Sequence, residues 1–213
     1  MRSEENKSVF ILVGGWLRDE KTYEKLKRTA PGNVDFYFVH YKHLKHPSFS
    51  GDLLKFTKDS GLEKVNLIGH STGGALCIDF AIKNPHKVRR LYLVDSEGVY
   101  GKEKSWEIFV NLIKSNLTRR KFFQNVRSTL HLIKSPFLHF RFAKYAHFAD
   151  FIFDNFDVET SIIWGERDTL IPLWQGKVLH KLIKNSDFHV LKEYDHDWLF
   201  LHPEKFWEIV KNK

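Results

Sequence analysis

The sequence is poor in cysteine and contains no long hydrophobic run. Its one cysteine, Cys77, excludes an internal disulfide framework and a cysteine-based zinc site, and fits a reducing compartment. No segment reaches the roughly 18 consecutive apolar residues that a membrane-spanning helix needs. The charged N-terminus, MRSEENKS, does not look like a signal peptide. These absences lead us to expect a soluble cytoplasmic protein.

The apolar content is enough for one folded domain. The chain has 213 residues, of which 42% are hydrophobic, so a sizeable core can form. Short apolar segments rich in β-branched or aromatic residues are typical of strands buried on both faces. We predict strands over residues 9–13, 34–39, 65–68, 91–94, 161–164 and 188–191. Helical patterns follow at residues 21–28, 52–60, 73–84, 174–184 and 203–211.

This alternation predicts an α/β fold with about six mostly parallel strands flanked by helices. One interval breaks the rhythm, because no strand is evident between about residues 99 and 158 and the pattern there is typical of helices. We interpret residues 99–157 as a small helical cap. Residues 1–98 and 158–213 would then form the core that carries the sheet.

The segment LIGHSTGGAL, residues 67–76, carries the clearest catalytic motif. Gly69, His70, Ser71, Thr72 and Gly73 match the nucleophile elbow G-x-S-x-G, after a predicted strand and at the start of a predicted helix. The two glycines let strand and helix approach each other, and the helix start adds N–H donors and a positive dipole end. A glycine-rich turn with an N-capping serine is the alternative. The context favours a nucleophile.

A serine nucleophile needs a base, and the base needs an acid that orients it. Asp168 follows a predicted strand in IIWGERDTLIP, and His196 follows the last strand in EYDHDWLFLHPEKF. The order Ser71, Asp168, His196 is the chain order of this architecture. Each residue lies just past the carboxyl end of a strand, where open α/β sheets build their sites. We therefore predict that the three form a catalytic triad.

Other roles are open for these residues one at a time. Asp168 would also suit a cap for the helix near Pro172, and His196 would suit a charged surface turn between its two aspartate neighbours. Position and chain order together favour the triad. Asp95, in VDSEG after the fourth strand, is the fallback acid because a carboxylate there would also reach the histidine.

An oxyanion hole requires two preorganised N–H donors. One would come from Thr72, the residue after the nucleophile. The other would come from the loop after the first strand, ILVGGWL, and most directly from Trp16, because Gly14 and Gly15 let that backbone turn inward. An ordinary Gly-Gly turn is the alternative.

The stretches VGGW, GHSTGG, GERDTLIP and DHDW resemble the α/β-hydrolase superfamily, and best its small esterase- and lipase-like members. The resemblance runs from about residue 8 to the C-terminus and is weakest across the cap. It implies the same Ser–Asp–His triad and two-donor oxyanion hole. Epoxide hydrolases and haloalkane dehalogenases of this superfamily use an aspartate nucleophile, so Ser71 favours acyl transfer.

The chain departs from the superfamily pattern in two places. Many members have two more strands before the first one here, so strand 34–39 should lie exposed at an edge of the sheet, where a dimer contact is one option. Gly14 stands where relatives often carry histidine, which makes the oxyanion loop the less secure part of the site. The sequence does not determine the oligomeric state.

Three histidines, His40, His43 and His46, lie at a spacing of three in HYKHLKHP. No nearby acidic ligand supports a metal, and Lys42 and Lys45 repel cations, so a solvated or substrate-facing loop is the better interpretation. We expect no metal and no organic cofactor.

The net charge of +8 has one source. Residues 108–149 contain no acidic residue but eight basic ones, and the other 26 basic residues balance the 26 acidic residues. The interval also contains eight phenylalanines and tyrosines, which suit an apolar acyl pocket or the core of the cap itself. The charge would suit a small anionic or lipid-like ester, or peripheral contact with an anionic membrane. No nucleic-acid-binding motif supports a nucleic acid partner.

We predict a serine hydrolase that cleaves a carboxylic ester or thioester with an apolar acyl group through an acyl-enzyme intermediate. Two alternatives remain. The same triad can support hydrolysis of an amide or a carbon–carbon bond, and the chain can be a non-catalytic binding protein of the same fold.

Overall fold

The computed structural model describes residues 7–15, 18–39, 49–99 and 151–212. Within them, one sheet contains six strands, every adjacent pair of which is parallel. The strands are β1 (Ser8–Val13), β2 (Val34–Val39), β3 (Val65–His70), β4 (Val88–Val94), β5 (Thr160–Gly165) and β6 (Ser186–Leu191). Their spatial order is β2-β1-β3-β4-β5-β6. The predicted α/β class and the six strands are confirmed.

Helices alternate with these strands. A 3-10 turn at Glu20–Tyr23 leads into the first helix, and a short helix at Trp198–Leu201 comes between the last strand and the C-terminal helix. The sequence patterns did not separate either of these two elements. The helices are α1 (Glu24–Arg28), α2 (Phe49–Asp59), α3 (Thr72–Lys83), α4 (Leu173–Leu182), α5 (Trp198–Leu201) and α6 (Glu204–Lys211).

The sheet is covered on both faces because its side chains alternate between them. Ile11 and Val13 of β1 pack into the cluster that includes α2, α3 and α4. Phe10 and Leu12 of the same strand pack into the cluster that includes α1, α5 and α6. A strand buried in this way is apolar along its whole length, which explains the continuous apolar runs in the sequence.

The two outer strands differ from the inner ones. β2 and β6 have no fully buried residue, whereas every residue of β3 and β5 is buried. The prediction that strand 34–39 lies at an edge is therefore confirmed. Among the described residues, no helix is long and apolar enough to cross a membrane.

Several predictions concern residues outside the described ranges. These include Trp16, the three histidines at positions 40, 43 and 46, and most of the proposed cap, of which only residues 99 and 151–157 are described. The division into core and cap remains a prediction.

Candidate active site

Ser71 lies in a tight turn between β3 and α3. Its backbone angles, φ 56° and ψ −129°, are strained for a residue with a side chain. The turn is possible because α3 begins very close to β1, and a Cβ on Gly73 would lie 2.1 Å from the carbonyl oxygen of Val13. Gly69 and His70 are the last two residues of β3. This strand–turn–helix geometry matches the one that the motif requires.

The end of β4 holds this turn from the other side. The Ser71 N–H donates to the carbonyl oxygen of Val94 at 3.1 Å, and the Ser71 carbonyl accepts the N–H of Glu97 at 3.0 Å. The strain at Ser71 is therefore supported by backbone hydrogen bonds to a neighbouring strand end. The serine side chain is held at the carboxyl edge of the sheet.

Asp168 and His196 contact each other directly. Oδ2 of Asp168 lies 2.7 Å from Nδ1 of His196, and both residues are buried. The second carboxylate oxygen, Oδ1, accepts the N–H groups of Leu170 and Ile171 at 2.8 Å each. Asp168 thus organises its own loop and bonds the histidine at the same time.

The pKa of His196 reflects this contact. Burial lowers the pKa of the ring, but the charge of Asp168 and the hydrogen bond that the ring donates to it outweigh burial, so the pKa lies above its ordinary value of 6.5. An imidazolium at this position is therefore stabilised by its neighbour, which is what a general base in a triad needs.

Asp95, the fallback acid, is placed differently. It follows β4 with φ 42°, and its Oδ1 accepts the N–H of Gly165 at 2.8 Å. Burial, followed by the charge of Asp168, raises the pKa of Asp95 well above its ordinary value. A carboxyl group in this environment favours the neutral form, which makes it a weaker partner for an imidazolium than Asp168.

Among the described residues, one group has the composition of a metal site, namely His70, Asp95 and His196, whose ligand atoms lie within 4.8 Å of one another. Both ring nitrogens of His70 already take part in hydrogen bonds, Nδ1 with the Tyr23 hydroxyl and Nε2 with the His196 carbonyl. Nδ1 of His196 is bonded to Asp168. Because these nitrogens are committed, we assign no metal to this group.

A sequence model of the alpha/beta hydrolase fold matches residues 42–127. The chain is 26% identical over 178 residues to a 2-hydroxymuconate semialdehyde hydrolase of Pseudomonas putida, and the match covers 71% of this chain and 63% of that protein. It is 28% identical over 194 residues to a 2-hydroxy-6-oxo-2,4-heptadienoate hydrolase of the same species, covering 78% of this chain and 70% of that one.

Solved structures show the same architecture. A thermophilic esterase from Thermogutta terrifontis superposes with a TM-score of 0.74 at 15% identity, covering 97% of this chain and 89% of that one. This likeness concerns the fold. The chain has the α/β-hydrolase fold. Its sequence relatives named above are hydrolases.

Thr72 is the first residue of α3, so its N–H has no acceptor within the helix. Its hydroxyl donates to Oε1 of Glu97 at 3.2 Å. The Gly15 N–H donates to the hydroxyl of Tyr23 at 2.9 Å. The Gly15 N–H is therefore already engaged, and Trp16, the donor predicted from the sequence, lies outside the described residues.

Several residues of this site were not found from the sequence. Tyr23 and Arg18 belong to the loop and turn after β1, and Glu97 lies beyond β4. Arg18 bonds Asp197 at 3.4 Å, next to His196. None of them lies in a recognisable motif, and each reaches the site through a contact that only the folded chain makes.

Proposed function

We propose that the protein is a serine hydrolase that cleaves a carboxylic ester or thioester with an apolar acyl group. The observation that carries the proposal is the joint placement of Ser71 in a strained elbow and of the bonded pair His196 and Asp168 at the same edge of the sheet. A strained serine and an acid-oriented histidine at one edge of the sheet suit nucleophilic attack on a carbonyl carbon.

The first half of the reaction forms an acyl-enzyme. His196 takes the proton of Ser71 Oγ as this oxygen bonds to the carbonyl carbon, and Asp168 stabilises the resulting imidazolium. The N–H groups of Thr72 and Trp16 would stabilise the negative oxygen of the tetrahedral intermediate. When the intermediate collapses, the carbon–oxygen bond of the ester breaks and His196 protonates the leaving alcohol.

The second half repeats the chemistry with water. His196 removes a proton from water as its oxygen attacks the acyl carbon, and Ser71 regains its proton when the acid leaves. No electron transfer is involved, so the triad and two N–H donors suffice for the cycle.

The test is turnover of p-nitrophenyl esters of increasing acyl length by the wild-type chain and by Ser71→Ala. We expect turnover that falls by several orders of magnitude in Ser71→Ala. The double variant Ser71→Ala/His196→Ala should lose little more than either single variant, because the two residues act as one unit. Turnover that survives Ser71→Ala would refute the nucleophile.

Carbon–carbon bond hydrolysis is the second candidate, and the relatives favour it. A hydrolase named for 2-hydroxy-6-oxo-2,4-heptadienoate has no ester, thioester or amide bond to break, so it must cleave between carbons. The same serine can attack the ketone carbonyl of such a substrate. The match to the 2-hydroxymuconate semialdehyde hydrolase covers 63% of the length of that protein. The activity of this chain is therefore a proposal, to be tested on both substrate classes.

Charge offers further support for an acidic substrate. The relatives' substrate names denote carboxylates, and residues 108–149 of this chain contain eight basic and no acidic residues. We propose that this segment attracts an anionic group, either on the substrate or on a membrane surface. Salt should screen such an attraction.

Two measurements separate these possibilities. A 2-hydroxy-6-oxo-dienoate and a matched neutral ester are compared by kcat/KM at low and high salt, and binding to anionic vesicles is measured by sedimentation. Preference for the dienoate favours carbon–carbon hydrolysis, and vesicle binding that salt reverses favours a membrane contact. Equal, salt-independent rates without vesicle binding would remove the electrostatic role.

A further inference from the structure

A line of hydrogen bonds connects the loop after β1 to the residue proposed as the base. The Tyr23 hydroxyl oxygen accepts the N–H of Gly15 at 2.9 Å and lies 2.8 Å from Nδ1 of His70. The other ring nitrogen of His70, Nε2, lies 3.1 Å from the carbonyl oxygen of His196. The side chains of Tyr23 and His70 are buried. His70 directly precedes Ser71 in the chain, so the line includes the residue next to the nucleophile.

Only one arrangement of protons satisfies every atom in this line. A carbonyl oxygen accepts but cannot donate, so Nε2 of His70 must carry a proton and donate it to His196. A neutral imidazole has no second proton, so Nδ1 accepts and the Tyr23 hydroxyl donates to it. The Tyr23 oxygen is then free to accept the N–H of Gly15, as its position requires.

Burial keeps both side chains of this line neutral. Burial raises the pKa of Tyr23. Burial and then the neighbouring His196 hold the pKa of His70 well below its ordinary value of 6.5. The ring centroids of His70 and His196 are 4.9 Å apart, so a charged His70 would oppose the imidazolium that forms on His196 during the reaction.

The packing around the line leaves little room for adjustment. A Cβ on Gly15 would lie 2.9 Å from Cβ of Ser71, so the loop passes directly against the nucleophile. The Tyr23 ring packs edge-on against His70 and Phe200, with centroids 5.7 and 5.9 Å apart. A shift in the Tyr23 hydroxyl would therefore be transmitted to Gly15 on one side and to His70 on the other.

We propose that Tyr23 and His70 are positioning residues that form a neutral hydrogen-bond relay. This relay holds the loop after β1 and the backbone of His196 in fixed positions relative to Ser71. Neither residue needs to touch the substrate. The relay positions both the oxyanion donor of the loop and the base. Both groups act most strongly in the transition state. The kinetic part of this inference rests on the proposed serine hydrolase function.

The kinetic test removes one part of the relay at a time. Tyr23→Phe removes the hydroxyl alone. His70→Gln keeps an amide donor that can reach the His196 carbonyl, and His70→Asn keeps an acceptor that can face Tyr23. Tyr92→Phe is the matched control, because Tyr92 is also buried but packs against Phe10 and Phe206.

We expect Tyr23→Phe to lower kcat by about 10-fold with KM nearly unchanged, the size expected for one buried hydrogen bond. Tyr92→Phe should match the wild-type kcat. The losses in the double variant Tyr23→Phe/His70→Gln should be less than additive, because both substitutions break the hydrogen bond between Tyr23 and His70, and only the bond from the Gly15 N–H to Tyr23 is lost in addition. A wild-type kcat in Tyr23→Phe, or additive losses in the double variant, would overturn the relay.

Nitrogen-15 NMR of the histidine rings tests the relay without any substrate. We expect His70 in the wild-type chain to show a protonated Nε2, an unprotonated Nδ1 and no titration between roughly pH 5 and 8, while His196 titrates. A His70 that titrates in this range, or that carries its proton on Nδ1, would overturn the inference. If no substrate is turned over, the proposed function fails but this measurement still decides the relay.

Discussion

Asp168, and not Asp95, makes the hydrogen bond to the ring of His196, with Oδ2 of Asp168 lying 2.7 Å from Nδ1. Asp95 lies nearby, with a carboxylate oxygen within 4.8 Å of a His196 ring nitrogen, but its Oδ1 accepts the Gly165 N–H. Two buried carboxyl groups thus lie beside one histidine, and their hydrogen bonds assign them different tasks.

The acid assignment predicts unequal effects of two isosteric substitutions. Asp168→Asn should lower kcat/KM by about 10³- to 10⁴-fold, because an amide cannot stabilise the imidazolium or hold the same ring tautomer. Asp95→Asn should stay within about 10-fold of the wild type, since the side-chain oxygen of the introduced asparagine can still accept the Gly165 N–H. The measurement is kcat/KM on the substrate that the wild type turns over fastest. The reverse ranking would transfer the role of acid to Asp95.

The base assignment predicts how activity depends on pH. The pKa of His196 lies above 6.5 because Asp168 outweighs the effect of burial. The base must be neutral to accept a proton, so kcat/KM should be full at alkaline pH and should fall as pH drops through a value above 6.5. Asp168→Asn removes the charge that contributes most to raising the pKa of His196, while burial still lowers this pKa. The residual activity of the variant should therefore inflect at lower pH. An activity that stays constant into the acidic range would exclude His196 as the base.

Asp95 predicts a pH-dependent change in stability. Its pKa in the folded state is raised well above 3.8 by burial and by the charge of Asp168. The folded state therefore binds a proton more tightly than the unfolded state, and this contribution is present below pH 3.8 and is lost as pH rises through the folded pKa.

The corresponding experiment compares Asp95→Asn with the wild type by urea unfolding across this pH range. The free energy of unfolding of the variant relative to the wild type should increase as pH rises from 3.8 towards neutrality, because asparagine has no proton to lose. A difference that does not change with pH would mean that Asp95 is not neutral in the folded protein.

The close contact of α3 with β1 predicts that Gly73 cannot be replaced. A Cβ at Gly73 would meet the Val13 carbonyl oxygen at 2.1 Å, and backbone atoms cannot move aside as a side chain can. Gly73→Ala should lower the free energy of unfolding by roughly 1–3 kcal/mol, measured by urea unfolding. Gly32→Ala is the control, since nothing lies within 4 Å of its Cβ position. Equal stability of the two variants would contradict the contact.

The hydrogen bonds of His70 predict that a chelator leaves activity unchanged. Both of its ring nitrogens are committed, one to Tyr23 and one to the His196 carbonyl, so the histidine has no free lone pair for a metal. Assays with and without EDTA, after dialysis, measure this. A loss that added Zn²⁺ reverses would instead identify a metal among His70, Asp95 and His196.

Much of the fold follows from local sequence patterns. Short segments rich in apolar, β-branched or aromatic residues located all six strands to within three residues at either end, including the edge strands β2 and β6. The nucleophile motif was also local, because its residues 69–73 are consecutive in the chain. The short helix α5 was not predicted, because four residues are too few to show a helical period.

The sequence by itself determined the order of the elements, the elbow at Ser71 and the candidate residues at the carboxyl ends of the strands. Only the tertiary structure decided which acid bonds His196, because Asp95 and Asp168 follow neighbouring parallel strands and both reach the same edge of the sheet. It also decided the partners of Tyr23 and His70, which are 47 residues apart. Periodicity and motifs report the environment of each segment, whereas hydrogen bonds between distant segments depend on side-chain directions that exist only after the sheet has formed.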